Sequence, residues 1–152
     1  MPPEAAGQVA HFRGLEALYR SAPICGLFDS ELEISEAGSA RIRFEVEPRY
    51  FHAAGAAHGT LYFKMLDDAA FYACNSLVSD RFLLTTAFNV NFTRPLKTGP
   101  VVAEGRWISG RRRVLVGEAR LILADGEEAA RGTGTFMRSH IPLSGLAGYR
   151  PR

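Results

Sequence analysis

The chain has 152 residues, of which 47% are hydrophobic and 22% are charged, and its formal net charge is +2. This length is typical of one domain, which buries roughly 70% of the surface that its unfolded chain exposes. A net charge this small does not favour nucleic acid or an anionic membrane as a partner. Two cysteines are too few for a disulfide framework, and the N-terminal stretch lacks the pattern of a signal peptide. We therefore expect one cytoplasmic domain over residues 1–152, without a membrane-spanning segment.

The hydrophobic pattern predicts a helix, a hairpin and a second helix in the first half of the chain. Apolar residues recur at three-residue steps between residues 9 and 18, which predicts an N-terminal helix within residues 1–22. Apolar and polar residues alternate from residue 32 to residue 46, which predicts a β-hairpin with one buried face. The segment 59–78 has no such alternation, and its apolar residues go nearly all the way round a helix. We expect a largely buried helix there, of about five turns.

The second half of the chain predicts a run of strands. They cover residues 84–92, 101–108, 114–124 and 129–139, and an irregular tail follows over residues 141–152. In the first of these strands, alternation places Leu84 and Phe88 on one face and Thr85 on the other. One long apolar helix beside a run of half-buried strands is typical of an α+β fold. We expect an antiparallel sheet of five to six strands wrapped around that helix.

The start of the long helix is a candidate binding site. Gly55 and Gly59 precede it, so the backbone there can approach a ligand closely. The first amides of a helix lack intrahelical partners and can hold an anion, or a carbonyl oxygen that develops negative charge. The alternative interpretation is that Gly59 and Thr60 simply begin the helix, with Thr60 as its N-cap.

Two adjacent aspartates, Asp67 and Asp68, interrupt the apolar helix. Burial of an ionised carboxylate costs several kcal/mol unless the group is paired or hydrogen-bonded. The two side chains differ in direction by about 100°, so both cannot easily face water. We expect Asp68 to be turned toward water near Lys64. Asp67 is then the candidate general base or nucleophile.

The spacing of these residues predicts an oligomer. Asp67 lies eight residues beyond Gly59, which is roughly 12 Å along a helix. An oxyanion donor and a base must both come within about 3 Å of the reacting group. One helix cannot provide both, but two antiparallel copies can. We therefore expect a homodimer or a dimer of dimers, with the site at the subunit interface.

The stretch HAAGAAHGTLYFKMLDDAAFYACNS resembles the signature of hotdog-fold thioesterases of the phenylacetate-degradation (PaaI-like) branch. That family shows Asn-x-x-Gly-x-x-His-Gly-Gly and then an acidic residue nine positions after the His, which is Asp67 here. The stretch TTAFNVNFTRPLKTG also resembles the family's next strand. The resemblance runs from about Cys25 to Arg138. It implies a hotdog fold and hydrolysis of an acyl-CoA thioester to free acid and coenzyme A, with no metal and no other cofactor.

The resemblance also implies a role for each candidate catalytic residue. The Gly59 amide would polarise the thioester carbonyl, and Asp67 of the neighbouring subunit would act as general base or nucleophile. Thr85 would orient the attacking water, and His58 would shape the carbonyl end of the site. His52 stands where the family usually has Asn or Gln. A neutral imidazole donates one hydrogen bond but can also act as an acid or base, so His52 leaves the rate, the pH profile and the reaction type open.

Coenzyme A is the expected partner of a second group of residues. Thr60 replaces the second glycine of the family's His-Gly-Gly motif, which keeps the amide but narrows the approach. Guanidinium and ammonium groups suit the phosphates of coenzyme A. The candidates are Arg94, Lys97, Arg111 and Arg112. Any one of them is equally consistent with a solvated turn. The cluster is too short, and too poor in interleaved aromatic residues, to predict a nucleic-acid site.

Two other functions stay open at this point. A hotdog hydratase or dehydratase acting on a CoA or carrier-protein thioester would use His52 together with Asp67. A non-catalytic domain would bind or sense CoA esters without turnover. The acyl group is undetermined, because the helix aromatics that are candidates to line an acyl pocket are more often simple core. These aromatics are Tyr62, Phe63, Phe71 and Tyr72.

Overall fold

The computed structural model describes residues 3–152, so Met1 and Pro2 of the predicted N-terminal helix lie outside the described residues. The helices are α1 (Pro3–Ser21) and α2 (Gly59–Asn75). The strands are β1 (Ser30–Glu33), β2 (Ser39–Val46), β3 (Arg81–Phe92), β4 (Gly99–Ser109), β5 (Val114–Leu123) and β6 (Glu128–Pro142). Short 3-10 turns cover Pro23–Leu27, Pro48–Tyr50 and Leu143–Gly145. Within residues 3–152, neither α-helix is long and apolar enough to cross a membrane.

The six strands form one antiparallel sheet in the order β1-β2-β4-β5-β6-β3. The predicted hairpin is confirmed: Leu32 pairs with Ile42, and both side chains are buried. Helix α2 packs against one face of the sheet. Eleven of its 17 residues are buried, among them every residue from Ala69 to Asn75, because the sheet curls about the helix. The α+β architecture expected from the sequence, a sheet wrapped around one long helix, is confirmed.

Small residues let α2 and the sheet approach closely. Ala69 and Ala70 of α2 are fully buried. On the facing strand β4, a Cβ atom at Gly105 would overlap the Ala69 carbonyl. On β5, a Cβ atom at Gly117 would lie 2.9 Å from the Cys74 sulfur. Glycine at these two strand positions therefore sets the distance between helix and sheet, and Cys74 is a core thiol.

Strand β3 contains an irregularity that reverses its faces. Its pairing with β6 shifts between Thr85 and Ala87, so one extra residue stands on β3 there. Before the shift, Leu83 is buried and Leu84 is 46% exposed; after it, the even-numbered Phe88 packs on Phe136. The prediction that Leu84 shares a face with Phe88 was wrong, because an added residue inverts strand alternation. The same bulge turns Thr85 toward α2.

The irregular C-terminal tail begins slightly later than predicted, and it packs on the rest of the fold. Strand β6 runs to Pro142, and Leu143 just beyond it is fully buried. The Tyr149 hydroxyl bonds His11 Nδ1 at 2.7 Å, and His11 Nε2 donates to the Asn75 carbonyl at 2.9 Å. Burial lowers the pKa of this imidazole. The tail thereby fastens α1 to the end of α2.

Helix α2 ends at Asn75, three residues before the predicted end. The Asn75 side-chain amide donates to the carbonyls of Val78 and Arg81 at 3.0 Å each, and its Oδ1 accepts from the Leu83 N–H at 3.0 Å. A side chain that hydrogen-bonds the following loop in this way competes with continuation of the helix.

Candidate active site

The N-terminus of α2 is capped by His58. Its Nδ1 accepts hydrogen bonds from the Thr60 N–H at 3.0 Å and from the Thr60 hydroxyl at 2.9 Å. The interpretation of Thr60 as the cap was wrong, since the cap position is held by the residue before Gly59. Because Nδ1 is the acceptor, the ring proton lies on Nε2. His58 thus presents an N–H donor at the exposed start of the helix.

Gly59 is the first residue of α2. Its N–H donates no hydrogen bond to any residue between 3 and 152. A Cβ atom here would lie 3.4 Å from the Phe92 ring, an ordinary contact. The loop before it is fixed by the Ala57 N–H, which donates to the Leu96 carbonyl at 3.0 Å. Gly59 therefore offers a backbone donor at the positive end of the helix dipole, beside an aromatic ring.

His52 shapes the turn that precedes this helix. Its Nδ1 accepts from the Ala54 N–H at 3.0 Å, and its backbone pairs with Ala56 and Gly55. Gly55 has a φ of +83°, which other residues rarely adopt. The His52 ring is exposed, and no hydrogen bond joins it to Asp67 within the described chain. Within one subunit, His52 therefore hydrogen-bonds its own turn and does not hydrogen-bond the Asp67 carboxylate.

The bulge in β3 brings Thr85 to Asp67. The Thr85 hydroxyl donates to Asp67 Oδ1 at 2.9 Å, which joins two predicted site residues that are 18 positions apart. Burial raises the pKa of Asp67 to about 6; the Thr85 hydrogen bond opposes this shift and the neighbouring Asp68 charge adds to it. None of the ion pairs among residues 3–152 includes Asp67. Asp67 is therefore a half-buried carboxyl group whose pKa is raised toward neutral pH, which suits a general base.

Asp68 lies beside Lys64, as predicted, but its side chain is largely covered. Its carboxylate forms an ion pair of 2.8 Å with Lys64, and the two side chains are 23% and 11% exposed. Lys64 also donates to the Tyr19 hydroxyl at 3.0 Å and lies 5.4 Å from the centre of the Phe28 ring. Burial raises the pKa of Asp68, and the Lys64 charge opposes the shift. The expectation that Asp68 turns toward water was wrong, because α1 and the following turn cover this side of α2.

The candidate coenzyme A cations fall into two groups at opposite ends of α2. At the N-terminal end, Lys97 donates to the Gly55 carbonyl at 3.3 Å, and the guanidinium of Arg94 lies 3.6 Å from Asp125. At the other end, Arg111 stacks on Trp107 at 4.8 Å in the β4–β5 turn, next to the exposed Arg112. One subunit does not bring the two groups together.

A cleft of about 410 Å³ lies beside the helix start, and no residue of β3 lines it. Its walls are mostly aromatic and apolar. Of the lining residues, only His58 and Thr60 were predicted site residues; the others, which except for Leu61 come from two other segments of the chain, were not predicted. The lining residues are Leu27, Phe28, Arg49, Tyr50, Phe51, His58, Thr60 and Leu61. A larger cleft of about 560 Å³ crosses the outer face of the sheet among paired Arg and Glu side chains, and it contains none of the predicted site residues.

The four aromatic residues of α2 have different surroundings. Phe71 and Tyr72 are buried and pack on other core rings. Tyr62 is also buried, and its hydroxyl donates to the Arg94 carbonyl at 2.8 Å. Phe63 alone among them is exposed, at 43%. Only Phe63 is therefore available to line an acyl pocket next to Asp67.

The sheet wrapped around α2, the amide at the start of the helix and the half-buried Asp67 carboxylate can now be compared with known proteins. The sequence profile described as "Thioesterase superfamily" matches residues 54–130, which is half of the chain. The chain belongs to the thioesterase superfamily. The matched range includes the whole of α2 and both Asp67 and Thr85.

One relative of this thioesterase-superfamily chain is named an esterase, and solved structures share its fold. A protein of Saccharolobus solfataricus named "Putative esterase SSO1253" is 28% identical over 120 residues, which cover 79% of this chain and 80% of that protein. The structure of the E. coli PaaI protein from the phenylacetic acid degradation operon superposes with a TM-score of 0.80 at 19% identity. The match covers 88% of this chain and 96% of that one. A conserved protein of Pseudomonas aeruginosa, PA5202, gives a TM-score of 0.73 at 27% identity over 78% and 94% of the two chains. The resemblance read from residues 52–76 is confirmed, and PaaI proteins are among the structures that share the hotdog fold.

Proposed function

We propose that this thioesterase-superfamily protein is a homodimeric hydrolase of acyl-CoA thioesters. Membership of the superfamily supports hydrolysis of acyl thioesters in general. The observation that carries the finer proposal is Asp67: its side chain is half-buried, it forms no ion pair among residues 3–152, its pKa is raised to about 6, and it accepts a hydrogen bond from the Thr85 hydroxyl. A carboxyl group with these properties is ionised at neutral pH and is a competent base there.

In the proposed reaction, the ionised Asp67 takes a proton from a water molecule that Thr85 helps to orient. The water oxygen bonds to the thioester carbonyl carbon, and the carbonyl oxygen accepts a hydrogen bond from the Gly59 N–H of the partner subunit. The carbon–sulfur bond then breaks. The coenzyme A thiolate leaves with the proton, and the free acid is released. Direct attack by the Asp67 carboxylate, with hydrolysis of the resulting anhydride, gives the same products.

The edges of the sheet support the dimer. Strand β3 is an edge strand of 12 residues, whereas β1 at the other edge has only four. A long unpaired edge is a template for pairing with another chain. Leu84 and Phe92 on β3 are 46% and 57% exposed, so this edge also presents apolar surface. We propose that β3 pairs with its own copy about a twofold axis, which sets the two α2 helices antiparallel.

An antiparallel pair of helices also accounts for the two groups of cations. The N-terminal end of α2 in one subunit then lies beside the C-terminal end of α2 in the other. Arg94 and Lys97 of one subunit come to the same end of the dimer as the partner's Arg111 and Arg112. We propose that the phosphates of coenzyme A bind between these groups.

The activity is tested with the purified protein and a panel of short, medium, long and aryl acyl-CoA esters, with free thiol and free acid measured together. Hydrolysis predicts equal amounts of both products. Enoyl-CoA that is consumed without thiol release would identify a hydratase instead. CoA-ester binding by calorimetry with no thiol release at any pH would identify a non-catalytic binding domain.

The shared site is tested by mixing two inactive variants. Gly59→Pro removes only the N–H, because proline is favourable at the first position of a helix. Asp67→Asn removes the base. A mixture unfolded and refolded together contains heterodimers with one intact site, so about a quarter of the unmodified activity returns. No recovery would contradict a site shared between subunits. Gly59→Ala keeps the N–H and should lose much less activity than Gly59→Pro.

A further inference from the structure

Phe63 is the one large apolar residue of α2 that stays substantially exposed. It lies four residues after Gly59 and four before Asp67, so the three form one row along the helix surface. Burial of a phenylalanine side chain stabilises a protein by roughly 1.5–3 kcal/mol. An exposed ring inside an otherwise buried helix therefore points to a surface that is covered by something else.

Symmetry identifies what covers it. If Gly59 of one subunit faces Asp67 of the other, the twofold axis relates Gly59 to the partner's Gly59 and Asp67 to the partner's Asp67. Two antiparallel helices in this register are level with each other at the residue midway between the two positions. That residue is Phe63, since 59 and 67 average to 63.

We propose that Phe63 and the partner's Phe63 meet at the dimer axis and form a common aromatic wall between the two active sites, which limits the acyl group each site accepts. The inference rests on the proposed thioesterase function. At 1.5 Å per residue, the wall is roughly 6 Å along the helix from each carbonyl-binding position. An acyl chain that extends toward the axis meets it within a few carbon atoms.

The Phe63 ring packs on other aromatic residues of the sheet. Phe63 packs edge-on against Phe88, with ring centres 5.5 Å apart and an interplanar angle of 69°. Phe88 in turn packs on Phe136, and its ring fills the space that a Cβ atom would need at Gly132 and Gly134 of β6. Gly132 and Gly134 of β6 thus leave room for the Phe88 ring, and the Phe88 ring in turn restricts the position of the Phe63 ring. A wall supported in this way can reject an acyl group by size.

The rival location for the acyl group is the aromatic cleft on the other side of α2. Its wall includes Phe28, which lies against Lys64 and stacks on Tyr50 at 5.4 Å. If the acyl group occupies this cleft, Phe28 controls its size and Phe63 does not. The two positions therefore provide a matched pair of variants.

Cross-linking tests the position of Phe63 without reference to activity. In a Cys25→Ser background, Phe63→Cys should give a covalent dimer with bismaleimidoethane, read on a denaturing gel, because only positions near the axis face their own copy. Cys74 is fully buried and stays unmodified. Ser79→Cys, exposed beyond the far end of α2, should stay monomeric on the same gel. Equal cross-linking of the two variants, or none at position 63, would overturn the proposal.

Acyl selectivity tests the wall itself. Phe63→Ala should raise kcat/KM for octanoyl- or benzoyl-CoA relative to acetyl-CoA by about tenfold or more, since a few methylene groups are worth that much discrimination. Phe63→Trp should shift the ratio the other way, and it keeps the proposal testable if the alanine variant fails to dimerise. Phe28→Ala should leave the ratio within about twofold. A shift with Phe28→Ala and none with the Phe63 variants would place the acyl group in the cleft and refute the wall.

The two proposals fail separately. Absence of thiol release from the unmodified protein would remove the thioesterase function, while the cross-linking result would still decide where the axis lies. Loss of activity in Asp67→Asn without cross-linking at position 63 would keep the function and remove the wall.

Discussion

Two neighbouring rows of residues on α2 each contain one aspartate, and the surroundings of the two carboxylates differ. One row consists of Gly59, Phe63 and Asp67, and the other of Thr60, Lys64 and Asp68. In the second row, Lys64 neutralises Asp68, and Tyr19 and Phe28 cover the pair. In the first row, Asp67 is half-buried and forms no ion pair among residues 3–152, and the Thr85 hydroxyl donates a hydrogen bond to it. Two adjacent aspartates thus have different roles: one stabilises the packing of α1, and the other is kept reactive at a cost in stability.

The sharpest way to break this comparison is to remove each carboxylate charge in turn. Asp67→Asn should lower kcat/KM for an acyl-CoA ester by about 10²- to 10⁴-fold, the usual contribution of a general base. The Asp68→Asn variant should have a kcat/KM within about tenfold of that of the unmodified protein. Thiol release under identical conditions measures both. Similar losses in the two variants would mean that the rows do not differ in function.

Stability should respond in the opposite order. Asp68→Asn leaves the Lys64 ammonium poorly exposed and without its carboxylate, which should lower the free energy of unfolding by about 2–3 kcal/mol. The double variant Lys64→Met with Asp68→Leu should recover most of this loss, because neither charge is then buried. Urea unfolding at one protein concentration measures all three proteins. A stable Asp68→Asn variant would show that the ion pair contributes little.

The raised pKa of Asp67 predicts how stability and activity change with pH. In the unfolded chain the group loses its proton near 3.8, whereas the folded protein keeps it until about pH 6. Between these values the folded protein binds more protons, so the free energy of unfolding falls as pH rises. Asp67→Asn should therefore be more stable than the unmodified protein by about 3 kcal/mol at pH 8, and this advantage should disappear below about pH 4.

The same titration should appear in the rate, since kcat/KM of the unmodified protein should rise with pH and level off above about pH 6. Rates measured from pH 4.5 to 8.5 with a stable acyl-CoA ester test this. A value of kcat/KM that no longer changes with pH above pH 5 would mean that Asp67 is already ionised there. Another group would then stabilise its negative charge.

The smallest expected effect concerns the hydroxyl that supports Asp67. Thr85→Val removes a hydrogen bond to the ionised carboxylate, so the pKa of Asp67 should rise further and kcat/KM at pH 7 should fall by about tenfold. Thr86→Val is the matched control, because the Thr86 hydroxyl bonds Thr135 instead. A shifted pH profile in Thr85→Val alone distinguishes positioning of the base from a general loss of structure.

Much of the fold, and the proposed members of the site, could be predicted from local sequence patterns. Alternation between residues 32 and 46 placed Leu32 and Ile42 on the buried face, because side-chain direction in a regular strand depends only on the count of residues. The all-round apolar pattern of α2 likewise predicted a helix inside a curled sheet. The pair Gly59 and Asp67 followed from a spacing along one helix, and their catalytic roles stay predictions.

What only the tertiary structure decided depends on contacts between distant segments. The bulge after Thr85 is set by the register of β3 on β6, and without it Thr85 would not reach Asp67. Lys64, the ion-pair partner of Asp68, is only four residues away in sequence. The burial of this pair, however, depends on α1, because Tyr19 of α1 packs on Lys64. Periodicity determines which way a side chain points from its own element. What it meets there, and hence whether a carboxylate is neutralised or kept reactive, is determined by the element packed against it.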